Sequence, residues 1–481
     1  MALPSCPPHE RTDVLIVGAG SAGSILAERL SGDPSCRVTV LEAGPAPSDP
    51  RVAAQITDAL RLPIGAASSV VRHYASVLTE NPPRHTQIIR GSVVGGSGAV
   101  NGGYFCRGLP TDFDRWAVPG WGWDDVLPHF RAIETDLDFT SALHGGDGPI
   151  TVRRVREFDG CTASFVDAAT NAGFGWIDDL NGSEAMAALP AGVGAVPLNI
   201  NGGNRVGPGG AYLQPALRRP NLRLVTDTRV ARVLFRGHRV VGVICDDGST
   251  LLADRIVLCS GAIGSAHLLL LSGVGPSAEL EALGLEVVAD LPVGMHTVDH
   301  PEWVLPVSWT PTHDLPPLEA VLTTADGIEV RPYTAGFAAM VHGPGHDPAE
   351  LPHLGVALMR PHSRGRVRLV SADPRVAPVI EHRYDTVAHD VQALRRGAEL
   401  ARELVSHTAE VGEASWSTSQ HLAGTAPMGS GPEAVLDPTC RVLGVDGLWV
   451  VDGSIMPAIT SRGPHATIAM IGHRAAEFLA T

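Results

Sequence analysis

The sequence predicts a mixed α/β chain, with a doubly wound parallel sheet first and an α+β region built on an antiparallel sheet after it. Three observations predict it. Residues 13–33, DVLIVGAGSAGSILAERLSGD, read as a short β-branched strand, a glycine-rich turn and a helix. A second apolar strand, RVTVLE at 37–42, follows at once, and a strand–helix–strand unit implies a parallel pair with a crossover helix. Residues 300–385 then carry many prolines and alternating strands such as RGRVRLV, which suggests antiparallel pairing.

Each element can be justified in order. Gly18-Ala19-Gly20-Ser21-Ala22-Gly23 lies between strand and helix, where glycines permit a tight turn and let a pyrophosphate approach a helix N-terminus. Glu42 ends the second strand, in register for its carboxylate to accept hydrogen bonds from a ribose diol and to repel a 2′-phosphate. Residues 44–90, richer in Pro, Ala and Ser, read as an excursion away from the sheet. Residues 91–108 form a second glycine-dense loop, whose small residues let backbone pass along a flat or anionic ligand. Val93, Val94, Ala99 and Val100 make it too apolar for a surface loop. Residues 123–137 read as a helix, 145–215 as strands mixed with loops, and 221–259 as four short strands with turns at Arg236-Gly237-His238 and Asp246-Asp247-Gly248. Residues 256–278 carry no charge, yet Ser260, His267 and several glycines interrupt them, so a buried strand, turn and helix is expected rather than a membrane span of about 20 apolar residues. A helix over 385–405 precedes the segment 421–481.

Composition removes whole chemistries. Among the 481 residues, all 36 cations are arginine, against 51 carboxylates, for a net charge of −15. Without lysine there is neither a Schiff-base amine nor a P-loop. The acidic balance argues against nucleic acid as a partner, since that affinity rests on a basic patch. The seven cysteines are scattered, odd in number and lack a C-x-x-C pair, which disfavours a zinc cage or disulfide framework and points to a reducing, cytoplasmic setting. His342 and His346 have ligand-like spacing, but Gly343, Pro344 and Gly345 between them rule out a shared helix face, so no metal site is expected.

Read in order, the motifs are GAGSAG with LEAG, RGSVVGGSGAVNGG, GWGWDDVLPHFRAIE, HGGDGPI, SGAIGSAHLLLLSGVGP, LPVGMHTVDHP, HLAGTAPMG and VVDGSIMP. Over nearly its whole length the chain resembles the glucose-methanol-choline (GMC) flavoprotein oxidoreductases. That resemblance implies a doubly wound FAD-binding domain interwoven with a substrate domain built on an antiparallel sheet. It would place the mainly FAD-binding region at 11–300, with part of the substrate domain near 150–215. The substrate-binding domain would span 301–420, and 421–481 would return to the FAD domain. It assigns Gly18, Gly20 and Gly23, with Ser21 and Ala22, to the pyrophosphate, and Glu42, with Ala43, to the adenosine ribose. Val93, Ser97, Asn101 and Gly102 would line the flavin, Val230 would meet the adenine through its backbone, and Asp452 and Gly453 would close over the flavin. Some members attach FAD through a histidine where this chain has Val100, so FAD is expected to be bound non-covalently.

The same resemblance puts His421 and His465 at the reactive edge of the flavin. Oxidising a CH–OH donor requires a base near neutrality for the hydroxyl proton while the carbon gives up hydride. His421 would be that base, and His465 would hydrogen-bond the same oxygen and stabilise developing alkoxide charge. His144 and His300 fall in HGGDG and DHP, where a structural role is expected. Arg462 departs from the family's usual Gly-Asn-x-Asn and raises an anionic or polyol substrate.

Within the family, GGSGAVNGGYFCRGLPTDFDRW and FRAIETDLDF are most similar to the mycofactocin-system dehydrogenases of actinobacteria. The implied substrate is then mycofactocinol, with electrons passing to a respiratory acceptor and the protein cytoplasmic or peripheral at the membrane. The alternative is a choline or other small-alcohol dehydrogenase or oxidase, although a choline site wants an aromatic cage and aromatics are only 5% of the chain. A non-catalytic flavin carrier would not need the two histidines. An NAD-dependent dehydrogenase would leave the later motifs unexplained.

Overall fold

The computed structural model describes residues 12–183, 189–342 and 350–480; Cys6 and His346 lie outside these. The first sheet has seven strands. β1 (Thr12–Val17), α1 (Ser21–Leu30) and β2 (Val38–Leu41) form the expected unit, with β1 and β2 parallel. β3 (Leu222–Val225) extends it in parallel beyond β2. β4 (Val230–Arg236), β5 (Arg239–Cys245) and β6 (Thr250–Leu258) form an antiparallel meander. The far half of β6 leaves the meander to pair in parallel with β1 on one side and with β7 (Leu448–Val450) on the other. Val14, Leu15, Ile16, Ile256, Val257 and Leu258 are fully buried, as apolar runs must be in a parallel sheet covered on both faces.

Residues 256–278 form the end of β6, a turn and α2 (Gly261–Leu271). Among the described residues, no helix is long and apolar enough to cross a membrane.

The second sheet is antiparallel throughout, in the order 415–418, 301–306, 353–358, 328–332, 320–323, 192–195. Helix α3 (Ala388–Val405) packs across it, burying Ala393, Leu394, Ala401 and Val405.

Three local expectations are corrected. The helix from Trp123 stops at Ile133, and Glu134–Asp136 form a short strand parallel to Ile150–Val152, because both carboxylates are drawn into buried ion pairs. The excursion 44–90 contains a long hairpin, Val71–Glu80 with Pro83–Gly91. Arg366–Arg368, from RGRVRLV, joins that hairpin's four-stranded sheet through Val379–Glu381 and not the large antiparallel sheet.

Candidate active site

At Gly18 and Gly23 the turn from β1 into α1 has no room for a side chain. Gly18 has φ +108°, and a Cβ on Gly23 would stand 2.1 Å from the Gly18 carbonyl oxygen. Gly20 caps α1 with no side-chain acceptor for the first-turn amides, so those N–H groups suit an anion. Glu42, just past β2, is buried, and its carboxylate accepts from Ala19 N–H and Gly44 N–H, each at 2.9 Å. Burial pushes its pKa up to about 6. Thr228 N–H donates to the Glu42 carbonyl and Asp227 N–H to that of Gly44. This brings Val230, at the start of β4, alongside Glu42, while Ala43 is exposed.

The second glycine loop lies on the first. Gly95 N–H donates to the Ala19 carbonyl at 2.7 Å, and a Cβ on Gly96 would be 2.8 Å from the Gly20 Cα. Ser97 Oγ accepts from Gly91 N–H, while Val93 and Val100 pack with Val52 and Val70. Arg205 stiffens this loop from behind, donating to the carbonyls of Ala99, Asn101, Ile56 and Arg61. Burial lowers its pKa to about 10. A Cβ on Gly102 would make only ordinary contact with Pro317. Tight turn, open amide cradle, ribose-level carboxylate and close-packed second loop together fit the pyrophosphate and adenosine half of a dinucleotide.

His465 opens α4 (His465–Leu479) and ties three segments together. Its Nδ1 meets Asn101 Nδ2 at 3.1 Å and its Nε2 meets Ser21 Oγ at 3.1 Å, with Phe105 edge-on to the ring. Asn101 Oδ1 is taken by Gly103 N–H, so its amide N–H donates to Nδ1, and His465 donates from Nε2 to Ser21. Both ring nitrogens thus have protein partners. Burial lowers the His465 pKa to about 4.

His421 lies three residues past 415–418, the edge strand of the antiparallel sheet. Residues 298–300 and 419–423 run side by side through paired Val298–Ala423 hydrogen bonds, and Ser419 N–H donates to the His300 carbonyl. Asp299 Oδ1 accepts the backbone N–H of both His300 and His421, and Thr418 Oγ donates to Oδ2. The His421 and His300 rings stand at 88°, Nδ1 to Nδ1 at 2.8 Å, and His300 Nε2 is 3.0 Å from the Thr460 carbonyl. A Cβ on Gly463 would lie 3.5 Å from His421 Cε1, two residues before His465. Burial takes the His421 pKa well below its usual value and that of His300 to about 4, so both rings are neutral at pH 7.

Beside His421 is a buried ionic wall. Arg331 bridges Glu302 (2.9 Å) and Glu329 (2.7 Å), with Tyr333 OH and Ser419 Oγ donating to Glu302 and Tyr104 OH to Glu329. Arg462 is fully buried, 3.8 Å from Glu329, and its Nε and Nη2 have no hydrogen-bond partner among the described residues. Asp452 is spent on structure: its carboxylate accepts from Gly261 N–H, Ser265 Oγ and Ser454 N–H, and the Gly453 carbonyl accepts from Gly424 N–H.

The sequence profile of the GMC oxidoreductases matches this chain at residues 12–302 for its N-terminal part and 361–472 for its C-terminal part. The chain belongs to the GMC oxidoreductase family. It is an FAD-dependent oxidoreductase acting on CH–OH groups. It is 42% identical to an uncharacterized GMC-type oxidoreductase in the thcA 5′ region of Rhodococcus erythropolis, covering 97% of this chain and 98% of that one. It is 32% identical to the oxygen-dependent choline dehydrogenase of Brucella ovis, covering 97% and 95%. Among solved structures, pyridoxine 4-oxidase from Mesorbium loti superposes with a TM-score of 0.86 at 29% identity, over 97% and 98% of the two chains.

In this GMC oxidoreductase several residues matter that sequence reasoning left aside or took as structural: Asp299, His300, Arg205 and the Glu302–Arg331–Glu329 wall. DHP marked the first two as a motif, but only the chain's return at 418–423 shows what they hold. His144 lies in a separate buried network with Glu134, Asp136, Asp179, Arg107 and Arg154. Glu134, Asp136 and His144 are close enough to share an ion, as are His362, His389 and Asp390. In the first group the two arginines already supply the compensating charge.

Proposed function

We propose that this GMC oxidoreductase binds FAD non-covalently and oxidises mycofactocinol, passing the electrons to a respiratory acceptor. Bound FAD supplies the hydride acceptor at N5. The chain's own residues hold the cofactor through the glycine turn, Glu42 and the 91–102 loop, and His421 takes the hydroxyl proton. The observation that carries the base role is the setting of His421: a neutral ring, backbone-fixed by Asp299, against the Gly463 segment that leads to His465. His465 orients the two glycine loops through Asn101 and Ser21; to hydrogen-bond a developing alkoxide, its Nε2–H would have to turn from Ser21 Oγ to the substrate oxygen. Val100 offers no nucleophile for a covalent flavin link and is buried among valines.

The mycofactocinol reading is supported by the wording of residues 95–116 and 130–139. Against choline stands the ionic wall: Arg331 and Arg462 together match the charges of Glu302 and Glu329, and the Asp299 oxygens are taken by backbone N–H groups and Thr418 Oγ, which leaves little negative charge to attract an ammonium.

Anaerobic flavin reduction separates the substrates. Mycofactocinol should bleach the flavin far faster than choline or simple alcohols; equal or faster reduction by choline would overturn the substrate assignment. Reoxidation should be fast with a quinone-like dye and slow with air. His421→Ala should lower the reduction rate by about 10²–10⁴-fold while FAD stays bound, and an unchanged rate would remove His421 as the base.

A further inference from the structure

His300 is fully buried, and both its ring nitrogens are committed. Its Nε2 lies 3.0 Å from the Thr460 carbonyl oxygen, which can only accept, so Nε2 must carry a proton. A neutral imidazole has one N–H, so His300 Nδ1 holds a lone pair. The 2.8 Å contact to His421 Nδ1 is a hydrogen bond only if His421 donates. His421 is therefore the Nδ1–H tautomer, and its Nε2 is the ring's acceptor. The reverse arrangement would set the His300 lone pair against the Thr460 carbonyl. A doubly protonated His300 would place an imidazolium in a site that Asp299, already accepting two backbone N–H groups on Oδ1, does not face with a free oxygen.

We propose that His300 is a positioning residue that fixes His421 in the tautomer whose Nε2 accepts the substrate hydroxyl proton. The Thr460 carbonyl sets the polarity of the whole chain, Thr460 to His300 to His421. Thr460 lies five residues before His465, and its Oγ donates to the Arg462 carbonyl. The segment that carries the second histidine therefore also dictates the protonation of the first. When His421 takes up the hydroxyl proton on Nε2, the Nδ1–H bond to neutral His300 strengthens, and no proton needs to leave His300. This inference rests on His421 being the base.

The test uses holoenzyme. His300→Ala should slow flavin reduction by alcohol on the order of 10²–10⁴-fold, the span between losing a general base and holding a catalytic histidine in the wrong tautomer, with KM little changed and FAD retained. His300→Gln should recover most of the rate, because its amide oxygen can accept from His421 and its amide N–H can donate to Thr460. A merely space-filling role would be restored equally by His300→Leu, so Leu matching Gln overturns the proposal. A wild-type rate in His300→Ala overturns it too. If His300→Ala does not fold, ¹⁵N spectra of the wild-type holoenzyme decide. The resonance pair lost in His421→Ala should show a protonated Nδ1 and an unprotonated Nε2, and the opposite tautomer refutes the proposal. If His421→Ala reduces flavin normally, the base assignment itself has failed, whatever the spectra show.

Discussion

At Gly23 the tolerance is less than one methyl group, since the Cβ of an alanine would meet backbone that cannot move aside without distorting the turn. Gly23→Ala should cost about 1–3 kcal/mol or more and strip FAD during purification, measured as melting temperature and flavin-to-protein ratio; full flavin content would refute the close-packing account. This residue was legible because a tight turn demands glycine locally. Glu42 was legible for a similar reason, sitting at a fixed remove along one strand–helix–strand unit. His300 was legible only as a letter in DHP. Its role depends on a partner 121 positions away, and no local pattern encodes that. His465 lay between the two cases: its place in the sequence was readable, but its bonds to Asn101 and Ser21 were not.

At the scale of elements, the strands of the first sheet declared themselves through β-branched runs buried on both faces. The hairpin at 71–91 did not, because its exposed positions carry His, Arg and Gln and its turn carries prolines, so it lacks a clean apolar alternation. The strand 134–136 was hidden by the helical pattern before it, and the ion network decides its state. In that network burial alone would lower the His144 pKa, but hydrogen bonds to Asp136, Asp179 and Glu134 outweigh it and raise the value to about 10. A raised folded-state pKa means that this contribution to stability is fully present below about pH 6.5 and is lost as pH climbs through about 10. The urea midpoint should therefore fall between pH 7 and pH 10, and His144→Gln should flatten that part of the dependence. An identical pH slope in the variant would remove His144 as its source.

For the whole molecule, the class of fold could be read because each sheet has its own pattern, but which distant segments supply the edges could not. Gly192–Ala195 holds two glycines, and Ser415–Thr418 is four residues long with no apolar run. Both become strands only by lying against a sheet already built. The chain passes between the two sheets more than once, so neither can be released without pulling on the other. Denaturant unfolding followed by tryptophan fluorescence and by flavin release should give coincident midpoints. Two well-separated transitions would show the sheets to be independent.

The position of β7 has a further consequence, for biosynthesis. Residues 256–258 leave the ribosome about 190 residues before Leu448–Val450, the strand that pairs with them. At about 5–20 residues per second, an apolar strand edge waits roughly 10–40 s for its neighbour. During that interval the nascent chain is a client for holdase chaperones and a target for intermolecular strand pairing. The contacts of His465 with Ser21 and Asn101 form later still, so the two glycine loops are tied to α4 only at the end of synthesis. Cells short of chaperones should lose this protein to inclusion bodies before they lose its cofactor.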